Sequence, residues 1–338
     1  MIDFRYHLVS IVAVFLALAV GIVLGSTELR GAAFSALDRT SSALSAKLNA
    51  ANSENSALQQ EVNGDRSFAQ AAEPVLLAHL LDGKRVVVIT APGAPGGVVS
   101  GLTTALGDAG ATVSGQVSLT PKFADTSAST LNVLDELTQR VVPSGVNLVN
   151  GSPQQQAAQV LASALLSPRS QFGSQTTGSQ TSAGQAGSSS QTILSSYSAG
   201  GFLTVSGQPA SGATLAVIII PANPPAGGNA DPANQAIVAL AQEFGTASQA
   251  TVVAGASPSG GQANAITAVR ASGAANNAST VDNADAVSGQ IVAVQALEQQ
   301  LSGHKPGSYG IQSDAASAAP SPAPTASASA TATAKGKK

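Results

Sequence analysis

Residues 8–25, LVSIVAVFLALAVGIVLG, carry no charge at all. At 1.5 Å of rise per residue, about 18 to 20 apolar residues in a helix nearly cross the hydrocarbon core of a bilayer. Such a run forces everything downstream to be arranged around a membrane, unless the run is removed. Removal as a cleaved signal peptide is the rival reading. Against it stand a positive region reduced to Arg5, the length of the apolar run, and amphipathic sequence immediately after it. Residues 1–27 are therefore read as an uncleaved transmembrane anchor. Within it Ala17, Gly21 and Gly25 recur every fourth residue, a small-xxx-small ridge that lets two helices approach closely. Arg5 on one side and Arg30 and Arg39 on the other leave the orientation open by charge. The long remainder, poor in Lys and rich in Ser, Thr, Ala and Pro, is placed outside the cytoplasm, which makes this a single-pass cell-membrane protein.

The amphipathic sequence that follows fits a heptad. Phe34, Ser41, Leu48, Asn55 and Val62 fall at a, and Leu37, Leu44, Ala51, Leu58 and Asp65 at d. Asn55 at a favours a parallel, in-register pair, and Glu61 at g reaches Arg66 at e of a partner. Residues 28–73 are thus expected to form a parallel coiled coil, a homodimer held through Phe34, Leu37, Leu44, Leu48, Asn55, Leu58 and Val62. Ser41, Ala51 and Asp65 bury little, so a long helix folded back on its own domain stands as the alternative. Gly64 reads as the end of this helix. Pro74 then leads a short one carrying Val75, Leu76, Leu77, Leu80 and Leu81, before the Asp82-Gly83 turn.

Residues 74–310 alternate strand and helix signals. KRVVVIT (84–90) is a β-branched apolar run, followed by a Pro/Gly loop and a helical stretch over 98–108. Further strands are expected at 112–119, 146–149, 215–220 and 251–254, and helices near 131–142, 154–166, 234–244 and 286–301. This alternation predicts an α/β domain, Rossmann-like, with a mostly parallel and helix-covered sheet. Hydrophobic residues make up 43% of 338, enough to build its core. A Ser/Gln/Gly/Thr-rich insertion over 167–196 reads as too polar to bury anything, and 311–338 as a disordered tail.

Chemistry is hard to find. Only 10% of residues are charged and the net charge is −3, so nothing attracts nucleic acid. There is no Cys, and the only Met is Met1, which removes soft sulfur ligands and disulfide staples. The loop Ala91-Pro92-Gly93-Ala94-Pro95-Gly96-Gly97 lies where nucleotide-binding proteins cradle phosphates. It lacks the Lys-Ser/Thr of a Walker loop, the G-x-G-x-x-G spacing, and an acidic residue after the second strand, so its glycines read as turn glycines. His7, His79 and His304 are far apart, and His79 reads as a packed or capping residue. Asp282 and Asp285 read as helix caps ahead of residue 286. No G-x-S-x-G elbow accompanies the many serines. No catalytic, cofactor-binding or metal-ligating residue is assigned, and the chain reads as a non-enzyme.

The opening Met1-Ile2-Asp3-Phe4-Arg5-Tyr6-His7-Leu8-Val9-Ser10-Ile11 and its continuation to Gly25 resemble the actinobacterial MctB family. Ser279-Thr280-Val281-Asp282-Asn283, the helix over 290–301 and Tyr309-Gly310 resemble a second block of that family. The resemblance implies an envelope protein of copper homeostasis or transport, with copper as a ligand on that ground alone. Mycobacterial members are described as outer-membrane channels, a location that a single apolar helix does not favour. A SteB-like corynebacterial branch implies the other role: a coiled-coil scaffold with envelope or cell-division partners that controls a peptidoglycan hydrolase.

Overall fold

The computed structural model describes residues 4–167, 181–209, 212–223, 230–257 and 264–321. Two compact units divide the chain, Met1–Asp65 and Arg66–Lys338.

The first unit is helical and belongs to α1 (Phe4–Leu77). Every described side chain over 6–65 is exposed. Tyr6–Gly25 is long and apolar enough to cross a membrane, with none of it buried. Gly64 and Pro74 were expected to end one helix and begin another, but α1 runs through both. A helical Gly costs only about 1 kcal/mol against Ala, a small penalty within a helix of 74 residues. Pro74 sits in the last turn, where its own carbonyl still accepts from the Ala78 N–H at 3.1 Å, and Ala69 and Leu77 hold that stretch to the core of the second unit.

The second unit is built on one seven-stranded sheet: β1 (Arg85–Thr90), β2 (Thr112–Leu119), β3 (Leu203–Gly207), β4 (Leu215–Ile220), β5 (Ala250–Gly255), β6 (Ser279–Val281) and β7 (Ser308–Tyr309). Their order is β3-β2-β1-β4-β5-β6-β7, parallel throughout except for β3, which runs antiparallel to β2. All six residues of β4 and of β5 are buried, as strands covered on both faces require. The pleat sends alternate side chains into two cores. Val87, Ile89, Ile218 and Val253 meet α4 (Pro153–Leu165), α5 (Thr181–Ala199), α6 (Ala230–Ala247) and α7 (Ala265–Arg270). Val86, Val88, Val217, Ile219 and Val252 meet α2 (Gly96–Asp108), α8 (Val287–Leu301), Leu77 and Leu81.

Three expectations are corrected here. Of the tail expected to be disordered from 311, residues 311–321 are described and fold back on β7, with the Ile311 N–H on Asp282 and the Ala316 N–H on the Ser308 carbonyl. The polar insertion at 167–196 holds much of α5, which buries Ile193, Leu194 and Tyr197; residues 168–180 lie outside the described part. Three large side chains at helical spacing anchor a helix whose other residues are Ser, Gln, Gly, Thr and Ala. Residues 146–149 form no strand, because α4 satisfies their backbone instead. Gln159 accepts from the Val149 N–H at 2.9 Å and donates to the Asn147 carbonyl at 3.0 Å, while Gln156 donates to the Val149 carbonyl at 3.1 Å. The short strands β3, β6 and β7 carried no sequence signal of their own.

Tyr197 is fully buried against α3 (Ala128–Val141), where Thr138 gives its hydroxyl proton to the Leu134 carbonyl and so receives one from Tyr197 Oη at 2.8 Å. Burial pushes the phenol up to about 12. The folded state therefore keeps a proton that the unfolded chain loses above pH about 10, and stability falls as pH rises from about 10 toward 12. Urea unfolding followed by circular dichroism across that window should show a loss on the order of 2 kcal/mol from this group, and Tyr197→Phe should flatten the slope.

Candidate functional site

Along α1 the described residues assigned to packing between chains are exposed. Leu37, Leu44, Leu48, Leu58 and Val62 are each more than half exposed, and Asn55 lies exposed among them. The Phe34 side chain lies outside the described residues. Ala17 is exposed, and a Cβ built on Gly21 or Gly25 meets nothing within 4 Å. An exposed row of leucines along a polar stretch of helix, and an open small-residue ridge along its apolar stretch, are surfaces suited to another chain.

The loops after the parallel strands are stitched to one another. Gly93, in the left-handed region at φ 82°, brings the loop after β1 against Pro221 after β4. The Ala91 N–H donates to the Ile219 carbonyl at 2.8 Å, and α2 starts after Pro95 with no side-chain cap. Asp285 accepts from the Ser257 N–H at 2.9 Å and from its hydroxyl, which ties the loop after β6 to the one after β5. These aspartates do not cap α8: its N-cap is Ala286, without a side-chain bond.

Asp282 has a different role. Its carboxylate is wholly buried and takes Arg270 Nη2 at 2.9 Å, the Ile311 N–H at 2.8 Å and the Gln312 N–H at 3.3 Å. Arg270, 5% exposed, also donates to Thr280 Oγ1, the Tyr309 carbonyl and Asp314. Gly310 at φ 130° makes room, since a Cβ there would lie 2.1 Å from Asp282 Oδ1. The signal for Arg270 was its isolation, as no other Lys or Arg lies between Arg169 and Lys305.

His79 is neither packed nor inside a helix. It is the one described non-glycine residue at positive φ (66°), and its ring is 85% exposed with Nδ1 2.8 Å from Asp82 Oδ2. Nearby on α1, Glu73 is pushed up by partial burial and by the carboxylate of Asp108. Among the described residues, no three His, Cys, Asp or Glu side chains gather as a metal centre would need.

Comparison with known families supplies what the geometry leaves unassigned. The family model described as "Copper transport outer membrane protein, MctB" matches residues 1–320. The chain belongs to the MctB family. Curated relatives in that family are similar along nearly their whole length. Copper transporter MctB of Mycobacterium leprae is 31% identical over 325 residues, and that of Mycobacterium tuberculosis 27% over 324; each alignment covers 94% of this chain and 98% of the relative. The MctB match takes in the apolar helix, α1, the whole described sheet and the Arg270–Asp282 cluster. Replacing Gly310 by Ala should drive a methyl into Asp282 and lower stability by roughly 2 kcal/mol or more, read as a shift of the urea midpoint.

Proposed function

We propose that this chain is a single-pass, membrane-anchored envelope protein of copper homeostasis or transport, with its second unit on the extracytoplasmic side. The observation that carries the reading is the match of the copper-transport family over residues 1–320, together with relatives named copper transporters at 27–31% identity over 94% of the chain. The apolar Tyr6–Gly25 supplies the anchor. Parallel β1, β4 and β5 flanked by helices support a Rossmann-like arrangement, used here as a rigid body without catalysis.

With no Cys and no Met beyond Met1, direct ligation of copper is left to histidine and carboxylate. Copper is then a cargo handled by an assembly of chains rather than a resident cofactor. Deleting the gene in its host should raise cellular copper, measured by mass spectrometry after a copper challenge, and the intact chain should restore it. A version carrying a cleavable signal in place of residues 1–25 should not. Unchanged copper in the deletion strain would remove the copper role.

A second reading, favoured by the exposed leucine stripe, is a scaffold for cell-division factors or a peptidoglycan-hydrolase regulator. In either reading α1 pairs in parallel with a second copy through Leu37, Leu44, Leu48, Asn55, Leu58 and Val62, with Phe34 continuing the seam and Ala17, Gly21 and Gly25 packing in the membrane. Substituting Leu44, Leu48 and Leu58 together by Asp should turn a dimer into a monomer by light scattering in detergent. A wild-type monomer, or a mutant that stays dimeric, would refute the seam.

A further inference from the structure

We propose that residues 308–317 form a strap that opens from the outer edge of β6 without unfolding the sheet, and that Arg270 is its latch. The strap's backbone hold is short. β7 pairs with β6 only through Thr280↔Ser308 and Val281↔Tyr309. The chain then folds back on itself, the Ala316 N–H reaching the Ser308 carbonyl at 2.8 Å and the Gly310 N–H the Ser317 carbonyl at 3.1 Å. Apolar anchoring is equally slight: Tyr309 is the one buried side chain of the segment, and Ile311 is 69% exposed. By contrast β4 and β5 are buried along their whole length.

Polar bonds to the body do most of the holding, chiefly from Arg270 and Asp282, with the Tyr309 hydroxyl also donating to Gln299 of α8. Arg270 grips the Tyr309 carbonyl at 2.7 Å and Asp314 at 2.6 Å, and Asp282 receives the N–H groups of Ile311 and Gln312. The charges of the latch stay paired when the strap leaves, although Arg270 Nη1 gives up Asp314 and Asp282 gives up two N–H donors to water. Arg270 Nη2 remains on Asp282 at 2.9 Å, and its Nε remains on Thr280 Oγ1 at 2.9 Å, all within residues 270–282. A buried charge stripped of its partner would make opening very unfavourable, and here none is stripped. The strap's own N–H groups, carbonyl and carboxylate pass to water, which solvates them. A segment with few apolar contacts and replaceable polar ones belongs to the low-stability end of a fold. Once open, the edge presents the Asp282 N–H, released from the Tyr309 carbonyl, beside a guanidinium.

Hydrogen exchange read by mass spectrometry on the full chain in detergent tests this, with wild type, Asp314→Ala and Arg270→Met compared. In wild type, amides of the strap and the outer edge of β6 should exchange by local opening, well ahead of β4 and β5. Asp314→Ala leaves the Arg270–Asp282 pair intact and should speed strap exchange about tenfold, with β4 and β5 unchanged. Arg270→Met should speed it by more. Strap amides as slow as β4 and β5 in wild type would overturn the proposal. So would strap exchange unmoved by Asp314→Ala, or β4 and β5 rising in step with the strap in that variant.

Discussion

Burial of β1, β4 and β5 on both faces is the constraint on which the second unit depends. A strand with apolar side chains on both sides must be covered twice, and parallel neighbours must be joined by crossovers long enough to supply the cover. α4, α5, α6 and α7 close one side, while α2, α8 and the end of α1 close the other. The pleat divides adjacent residues between the two cores, so Val86 and Val87 serve different layers one residue apart. Loops at the strand ends are then drawn together, and stitches such as Ala91 to Ile219 and Ser257 to Asp285 follow from that crowding.

The first unit obeys the opposite logic. A helix gains little from its backbone alone in water and relies on a covered face. Over residues 37–62 Leu37, Leu44, Leu48, Leu58 and Val62 of α1 are exposed, and the apolar run before them is long enough to cross a membrane. The proposed bilayer anchor and companion helix are drawn from that exposed apolar surface.

The major elements were readable because their signals are local and strong. The uncharged run, the β-branched strands at 84–90 and 215–220, and the helices at 131–142, 154–166 and 234–244 each declare themselves within a dozen residues. What escaped was set by distant partners. Strand β6 is three residues long and exists because β5 and β7 flank it. Asp282, with Asn and Asp nearby, resembled a cap, and only the approach of Arg270 and residues 311–312 shows its real partners. Gly64 and Pro74 looked like breaks because propensity was weighed without the packing of Ala69 and Leu77. His79 looked apolar by its neighbours, yet the chain turns there into the left-handed region and sends the ring outward. The family was legible from two terminal blocks, whereas the copper chemistry its relatives are named for has no local signature in a chain without Cys.

The stretch Val146-Asn147-Leu148-Val149 illustrates how a potentially adhesive sequence can be neutralised. An apolar, β-prone tetrapeptide at a surface ordinarily offers its amides to any passing strand, and such offers seed intermolecular β-stacking. Here the amide side chains of Gln156 and Gln159 occupy three of the backbone groups between Asn147 and Val149. The glutamines act as a partial counterfeit strand: those three groups are already engaged before a neighbouring molecule arrives, in a protein with only 10% charged residues to keep copies apart.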